Sequence, residues 1–313
     1  MKAAFVFPGQ GSQSVAMLKD YADHSVIRET LGEASEALGQ DLWSLIENGP
    51  DEALSQTVNT QPVMLAADIA VYRAWLQEGG CTPVVAAGHS LGEYAALVAA
   101  GSLSLPDAVR VVRQRAEAMQ AAVPEGVGAI AAVLGLDEDA VRQACREAAE
   151  GEVVTPANIN APGQIVISGH AGAVGRAIEL CKQKGAKRAV LLPMSIPAHC
   201  PLMAPATSVL DQALSRAELK VGSFPVVHNV DVSVSETEAA LHQALLRQLY
   251  NPVRWVETVR MFEDFFHVTH VVECGPGKVL HGLVRRIVTN SACHTLSSSQ
   301  AIRETVAISR QEA

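Results

Sequence analysis

Aromatic residues make up only 4% of this 313-residue chain. A core of stacked rings is therefore excluded, and any large core has to be built from Ala, Val, Leu and Ile. The six cysteines, at 81, 145, 181, 200, 274 and 293, form no CxxC pair. They read as reduced thiols in a cytoplasmic protein rather than as a zinc ribbon or a disulfide framework. Positive charge is in deficit, with 24 Lys and Arg against 33 Asp and Glu and a net charge of -9. That excludes a general nucleic-acid binder and leaves room only for a local basic patch. No apolar run approaches the roughly 20 residues of a membrane span. The apolar start is short and breaks at Pro8-Gly9, so a signal peptide is not expected. His, Cys, Asp and Glu show no ligand spacing, so no metal is expected. Repeats, charge blocks and low-complexity linkers are also missing.

At 49% apolar and 18% charged residues, the chain is globular and long enough for one large domain or two unequal ones. Lys2 to Phe7 reads as a buried strand stopped by Pro8-Gly9-Gln10-Gly11-Ser12. No Gly-Lys-Ser/Thr follows, so the loop is either a tight turn or a source of backbone N–H donors. Residues 14 to 80 carry apolar side chains at helical spacing. Val84 to Ala87 then reads as a strand leading into Gly88-His89-Ser90-Leu91-Gly92, with a helix-like stretch after it. This is Gly-x-Ser-x-Gly on a strand-to-helix turn, the setting that lifts a serine hydroxyl clear of a sheet edge and aims helix N–H groups at a developing oxyanion.

Leu105 to Val123 reads as a long helix whose apolar face holds Ala108, Val112 and Met119. Arg115 falls on that same face. It is either a structural salt bridge or a bidentate binder of a carboxylate or phosphate, because a guanidinium among apolar side chains needs an anion. Arg113, on another face, is expected to pair with Glu117 at the surface. The next elements read β-α-β-β-α-β from Gly128 to Pro193, a split βαβ, ferredoxin-like pattern. The expected architecture is α/β: a large α/β-hydrolase-like domain with a parallel sheet, residues 1–125 and 194–313, carrying an inserted ferredoxin-like domain, residues 126–193. The region after Thr295 carries no readable signal.

A serine needs a base. His24, His242, His267, His281 and His294 sit in polar or helical settings and read as solvated; His228 and His270 lie in strands. His89 adjoins Ser90, but successive side chains diverge. His199 alone occupies a short loop, Ser195 to Met203, with prolines on both sides at 197 and 201. Loops on rigid scaffolds carry catalytic groups, so His199 is the first candidate.

Several motifs occur in order: Phe7-Pro8-Gly9-Gln10-Gly11-Ser12-Gln13, Gly88-His89-Ser90-Leu91-Gly92-Glu93, Asn160-Ala161-Pro162-Gly163-Gln164, Pro197-Ala198-His199-Cys200, Gln248-Leu249-Tyr250-Asn251-Pro252-Val253 and Glu273-Cys274-Gly275-Pro276-Gly277. Together they resemble the malonyl-CoA:acyl carrier protein transacylase family of bacterial fatty-acid synthesis, from about residue 3 to about residue 290. The resemblance implies Ser90 as the malonylated nucleophile, His199 as its base and the Gln248 carbonyl as the group orienting the histidine. It implies an oxyanion hole from the backbone N–H groups of Gln10 and Leu91, and Arg115 as the partner of malonate's free carboxylate. Met119 and Asn160 are implied to line the pocket. No cofactor is implied; the substrates are malonyl-CoA and holo-acyl carrier protein. The carrier is an acidic, transient partner, for which Lys187, Arg188, Lys278, Arg285 and Arg286 form a candidate basic patch. A monomer without nucleic-acid or membrane partners is expected. The alternatives are an acyltransferase of a polyketide or malonate decarboxylase system, and a serine thioesterase or esterase.

Overall fold

The computed structural model describes residues 1–194 and 196–311; Ser195, Glu312 and Ala313 lie outside the described residues. The chain begins with strand β1 (Ala3–Phe7), followed by helices α1 (Ser25–Leu38), α2 (Leu42–Asn48), α3 (Asp51–Leu54) and α4 (Thr57–Gln77). Strand β2 (Val85–Gly88) leads to α5 (Gly92–Ala99) and α6 (Leu105–Ala122). Next come β3 (Gly128–Leu134), α7 (Glu138–Ala149), β4 (Val154–Ala161), β5 (Gln164–His170), α8 (Ala171–Gln183) and β6 (Arg188–Leu191). The last stretch holds α9 (Thr207–Arg216), β7 (Val226–Val227), α10 (Glu238–Gln248), α11 (Trp255–Asp264), β8 (His270–Glu273), α12 (Val279–Val284), β9 (Ala292–Thr295) and α13 (Ser299–Gln311).

Two sheets result. Strands β7-β2-β1-β8-β9 form a parallel sheet, and β4-β5-β3-β6 form an antiparallel one. The mixed α/β class, with a parallel sheet and a separate antiparallel sheet, is as expected from the sequence. Both faces of the parallel sheet are covered, which is why β1 reads as an unbroken apolar run. Strand alternation divides its side chains between two layers. Ala3, Phe5 and Phe7 enter the core shared with α1, α4, α5 and α6; Ala4 and Val6 enter the other. The scarce aromatics gather in the first layer, where Phe5 meets the edges of Tyr72 and Trp75 at 6.0 and 5.4 Å between ring centroids. The second layer runs without a break from Ala4 and Val6 to Ala131, Val133, Ile165 and Ile167 of the antiparallel sheet. The connection between α10 and α11 joins the antiparallel sheet through backbone: Val253 N–H donates to Ala157 O at 2.8 Å, and Ile159 N–H donates to Val253 O at 2.9 Å.

Local rules place the helix that carries Arg115. Ser104 caps α6 by accepting from the Asp107 N–H at 3.1 Å, and proline sits in the first turn. Two sequence expectations change. Arg113 reaches across to hydrogen-bond Gln40 instead of forming an exposed pair with Glu117, because α6 packs against α1 and the loop after it. His24 is buried rather than solvated: it precedes α1 and turns inward beside Tyr21, towards Glu78. Strand β2 starts one residue later than expected, and the helix expected over Val279 to Val288 stops at Val284.

Candidate active site

The elbow between β2 and α5 is forced by close backbone approaches. A Cβ on Gly88 would lie 1.8 Å from the Gly92 carbonyl carbon, and a Cβ on Gly92 would lie 2.0 Å from the Phe7 carbonyl oxygen. Only glycine fits either position. Ser90 between them adopts φ = 53°, a left-handed conformation that costs an ordinary residue about 1–3 kcal/mol and persists only where surroundings hold it. The surroundings do hold it. The Ser90 N–H donates to Asn229 Oδ1 at 2.7 Å, and Asn229 Nδ2 donates to Gly88 O at 2.7 Å.

Ser90 Oγ lies 2.7 Å from His199 Nε2, and His199 Nδ1 lies 2.9 Å from the Gln248 carbonyl oxygen. A carbonyl only accepts, so the Nδ1 proton points to Gln248 and Nε2 is left to accept from the serine. His199 is also left-handed, at φ = 61°, and its N–H is fixed to Leu249 O at 3.1 Å. Burial first, and the Arg115 charge second, push its pKa down to about 3. The imidazole is thus neutral and free to take a proton at ordinary pH.

Arg115 is 1% exposed. Nη1 donates to Gln61 Oε1 at 2.8 Å, and Nη2 donates to Gln248 Oε1 at 3.0 Å and to Ser90 Oγ at 3.3 Å. Its guanidinium lies 5.5 Å from the centre of the Tyr94 ring. Every hydrogen-bond partner is neutral, and Nε has none among the described residues. Burial lowers its pKa, opposed by Tyr94 and Glu93. A buried cation held only by amides and a hydroxyl is prepared for an anion that arrives from outside.

The backbone N–H groups of Gln10 and Leu91 donate to no atom among the described residues. Gln10, Leu91, Ser90, His199, Arg115 and Met119 line one cleft of about 300 Å³, which Asn160 also borders. Asn160 Oδ1 lies 2.8 Å from His89 Nε2, so His89 is turned away from the serine, as sequence reasoning held. Gln61 donates weakly to Met119 Sδ at 3.8 Å.

The structure therefore brings seven of the eight sequence-derived site residues to the wall of one cleft, and the eighth, Gln248, lies behind it, joined to His199 and Arg115. It adds three that were not singled out. Gln61 lies among the buried residues of α4, and Asn229 stands just beyond the carboxyl end of a parallel strand, where ligand sites of α/β sheets lie. Glu93 closes the elbow motif itself: its Oε1 pairs with His228 Nδ1 at 2.8 Å, and Oε2 accepts from the Asn229 N–H at 3.0 Å and Gln248 Nε2 at 2.8 Å. A nucleophile elbow, a serine–histidine pair and free N–H donors on a parallel sheet define an α/β enzyme of acyl transfer through serine.

Comparison with known proteins gives the family. The model of the acyl transferase domain matches residues 4–310. The malonyl CoA-acyl carrier protein transacylase of Escherichia coli (strain K12) is 52% identical over 300 residues, covering 96% of this chain and 97% of that protein. The crystal structure of the acyl-carrier-protein S-malonyltransferase of Burkholderia pseudomallei 1710b superposes with a TM-score of 0.96 at 53% identity, covering 98% of this chain and 100% of that one. A malonyl-transacylase solved in complex with its type II polyketide synthase acyl carrier protein superposes equally well, at 0.96, with 46% identity and coverage of 98% and 100%. The chain belongs to the acyl transferase domain family.

Proposed function

We propose that this protein transfers the malonyl group from malonyl-CoA to the phosphopantetheine thiol of an acyl carrier protein, through a malonyl ester on Ser90. The observation that carries the reading is Arg115, a buried cation with neutral partners, 3.3 Å from Ser90 Oγ. A malonyl group on the serine presents its free carboxylate to that guanidinium, and an acetyl group has nothing to offer it. The relatives' names, and the carrier complex of one structural relative, point the same way.

In the first half-reaction Ser90 Oγ attacks the thioester carbonyl as its proton passes to His199 Nε2. The carbonyl oxygen becomes an oxyanion on the N–H groups of Gln10 and Leu91. The C–S bond breaks, and CoA leaves as the thiol with the proton from His199. In the second half-reaction the carrier's thiol gives its proton to His199 and attacks the ester. Ser90 then leaves with that proton. The chain's own side chains and backbone N–H groups supply the base and the charge stabilisation, with no cofactor in either step. Met119 and Asn160 shape the cleft, and the Gln248 carbonyl keeps the histidine tautomer.

For the carrier, the exposed Lys278, Arg285 and Arg286 flank α12, whose Val279, Leu280 and Leu283 line the cleft. Arg286 donates to the Pro162 carbonyl at 2.8 Å and to Gln164 Oε1 at 2.5 Å. Gln164 is paired across Leu134 with Arg188, beside Lys187. Arg286 and Arg188 are thus linked through Gln164 and Leu134, with Lys187 next to Arg188 and Lys278 and Arg285 at the two ends of α12, which supports docking of an acidic partner on a chain that is itself acidic.

The test is intact mass after mixing with malonyl-CoA, with and without holo-acyl carrier protein. A malonyl adduct is expected that Ser90→Ala abolishes and that the carrier discharges. Discharge to water at the same rate with or without carrier identifies a thioesterase instead. The polyketide relative supports a second reading of the partner, in which the carrier serves polyketide assembly; the carrier that discharges the adduct faster decides between them.

A further inference from the structure

The reaction as written uses neither of two fully buried ionisable side chains behind the site, Glu93 and His228, which are 0% and 1% exposed. A carboxylate placed there in a low-dielectric core is costly unless each of its oxygens has a donor. Here each does. Oε1 is taken by His228 Nδ1, whose other nitrogen lies 2.7 Å from Ser235 Oγ on the wall of a separate cavity of about 340 Å³. Oε2 receives the Asn229 N–H and Gln248 Nε2. Glu93 thus reaches both residues that hold the elbow and the dyad, without touching the cleft itself.

The chemistry of the Gln248 amide makes this consequential. An amide has one accepting end and one donating end, and its surroundings decide which way it faces. Gln248 Nε2 donates to Glu93 Oε2 at 2.8 Å and to the Ser90 carbonyl at 3.0 Å; both partners only accept. That leaves Oε1 for Arg115 Nη2. We propose that Glu93 is a positioning residue for substrate selection: as an obligate acceptor it fixes the orientation of the Gln248 side chain, and through it the guanidinium of Arg115 that receives the substrate carboxylate. The proposal rests on the malonyl-transfer reading above. Replacing Glu93 by glutamine introduces an NH₂ that can face Gln248 Oε1. Where the Gln248 amide turns over, its NH₂ meets Arg115 and the Ser90 carbonyl loses its donor, so the hydrogen bond to the guanidinium is gone. The carboxylate's charge, which favours the buried guanidinium, is lost at the same time.

The experiment compares Glu93→Gln with the unaltered protein in Ser90 acylation by malonyl-CoA and by acetyl-CoA, read by intact mass over time, with melting temperature recorded. The unaltered protein has to be labelled by malonyl-CoA; failure there removes the functional reading, not the positioning role alone. The expected result for Glu93→Gln is a fall of about tenfold or more in malonyl acylation, carried by a raised half-saturating malonyl-CoA concentration, with acetyl acylation within about threefold of the starting value. Equal losses for both acyl groups, or no loss for either, overturn the proposal. Where Glu93→Gln does not fold, Gln248→Met takes its place, since it keeps the backbone carbonyl that holds His199 and removes only the amide. Its loss with malonyl-CoA is expected to exceed its loss with acetyl-CoA by about tenfold or more, and equal losses overturn the proposal. Where both fold, the double variant is expected to be no worse than the poorer single one, because one device has been broken twice.

Discussion

Ser90 and His199 are both non-glycine residues with positive φ, and they face each other across 2.7 Å. Each is held by a backbone or side-chain partner from another part of the chain, so the strain is offset by the fold rather than relieved locally. The charge of Arg115 beside them acts on His199 as well as on the carboxylate proposed to reach it. It is the second cause, after burial, of the low His199 pKa. Removing it favours the imidazolium and moves that pKa upward from about 3. In Arg115→Gln the acid limb of acetyl-CoA-dependent acylation is therefore expected at higher pH than in the unaltered protein, measured by quenched-flow mass spectrometry. Malonyl acylation is expected to fall by about 2–5 kcal/mol of binding at any pH, because the substrate carboxylate loses its partner. At this scale much was legible in the sequence. Ser90, His199 and Arg115 stand out by motif, loop and misplaced charge. Gln61 and Asn229 do not, because a polar residue announces itself in sequence only by breaking a pattern, and their partners lie 54 and 139 positions away.

Among the elements, α4 carries an unpaid cost. Asp68 is 0% exposed, and neither of its carboxyl oxygens has a partner among the described residues. Burial, and then Glu273, push its pKa well above the usual carboxylate range. The folded protein therefore keeps a proton that the unfolded chain releases near pH 4. Stability falls as pH rises from there through the folded-state pKa. Asp68→Asn mimics the protonated acid and is expected to raise the melting temperature at pH 8 more than at pH 4.5, by differential scanning calorimetry. A larger gain at the acidic end contradicts this. The readable elements were those with a local period. The helices α7 and α8 and the strand β3 follow from spacing alone. Strand β9, Ala292–Thr295, is a half-exposed edge with mixed polarity and gives no alternation. Helix α13 follows it and buries Ile302 and Val306, but its pattern is short and its partner α4 is far away in sequence.

For the whole molecule, the order of the parallel strands was not legible, since nothing local says that β1 sits between β2 and β8. We propose that residues 126–193 form an inserted unit within 1–125 and 194–313. It shares its apolar core with the parallel sheet, so the two are expected to unfold together. All three tryptophans, at 43, 75 and 255, lie outside the insert. Their fluorescence and the far-ultraviolet circular dichroism should give one coincident denaturation midpoint, and separate midpoints contradict the shared core. Charge works at the same scale. Lys278→Glu with Arg285→Glu is expected to raise the half-saturating carrier concentration about tenfold at low salt and less at 0.5 M. Malonyl labelling of Ser90 should stay within about twofold, because neither side chain reaches the serine.

Val253, in the connection after α10, is clamped to Ala157 and Ile159 of the antiparallel sheet and stands five residues beyond Gln248, whose carbonyl holds the His199 imidazole. The antiparallel sheet, whose Asn158 and Asn160 line the cleft, is thus sewn to the segment that holds the histidine, and such a stitch resists hinging between them. On the proposed malonyl transfer, the lifetime of the Ser90 ester against water is then expected to depend on its occupant, whose carboxylate on Arg115 acts as the stopper. A guest too small to reach that seat is expected to leave the bottle open.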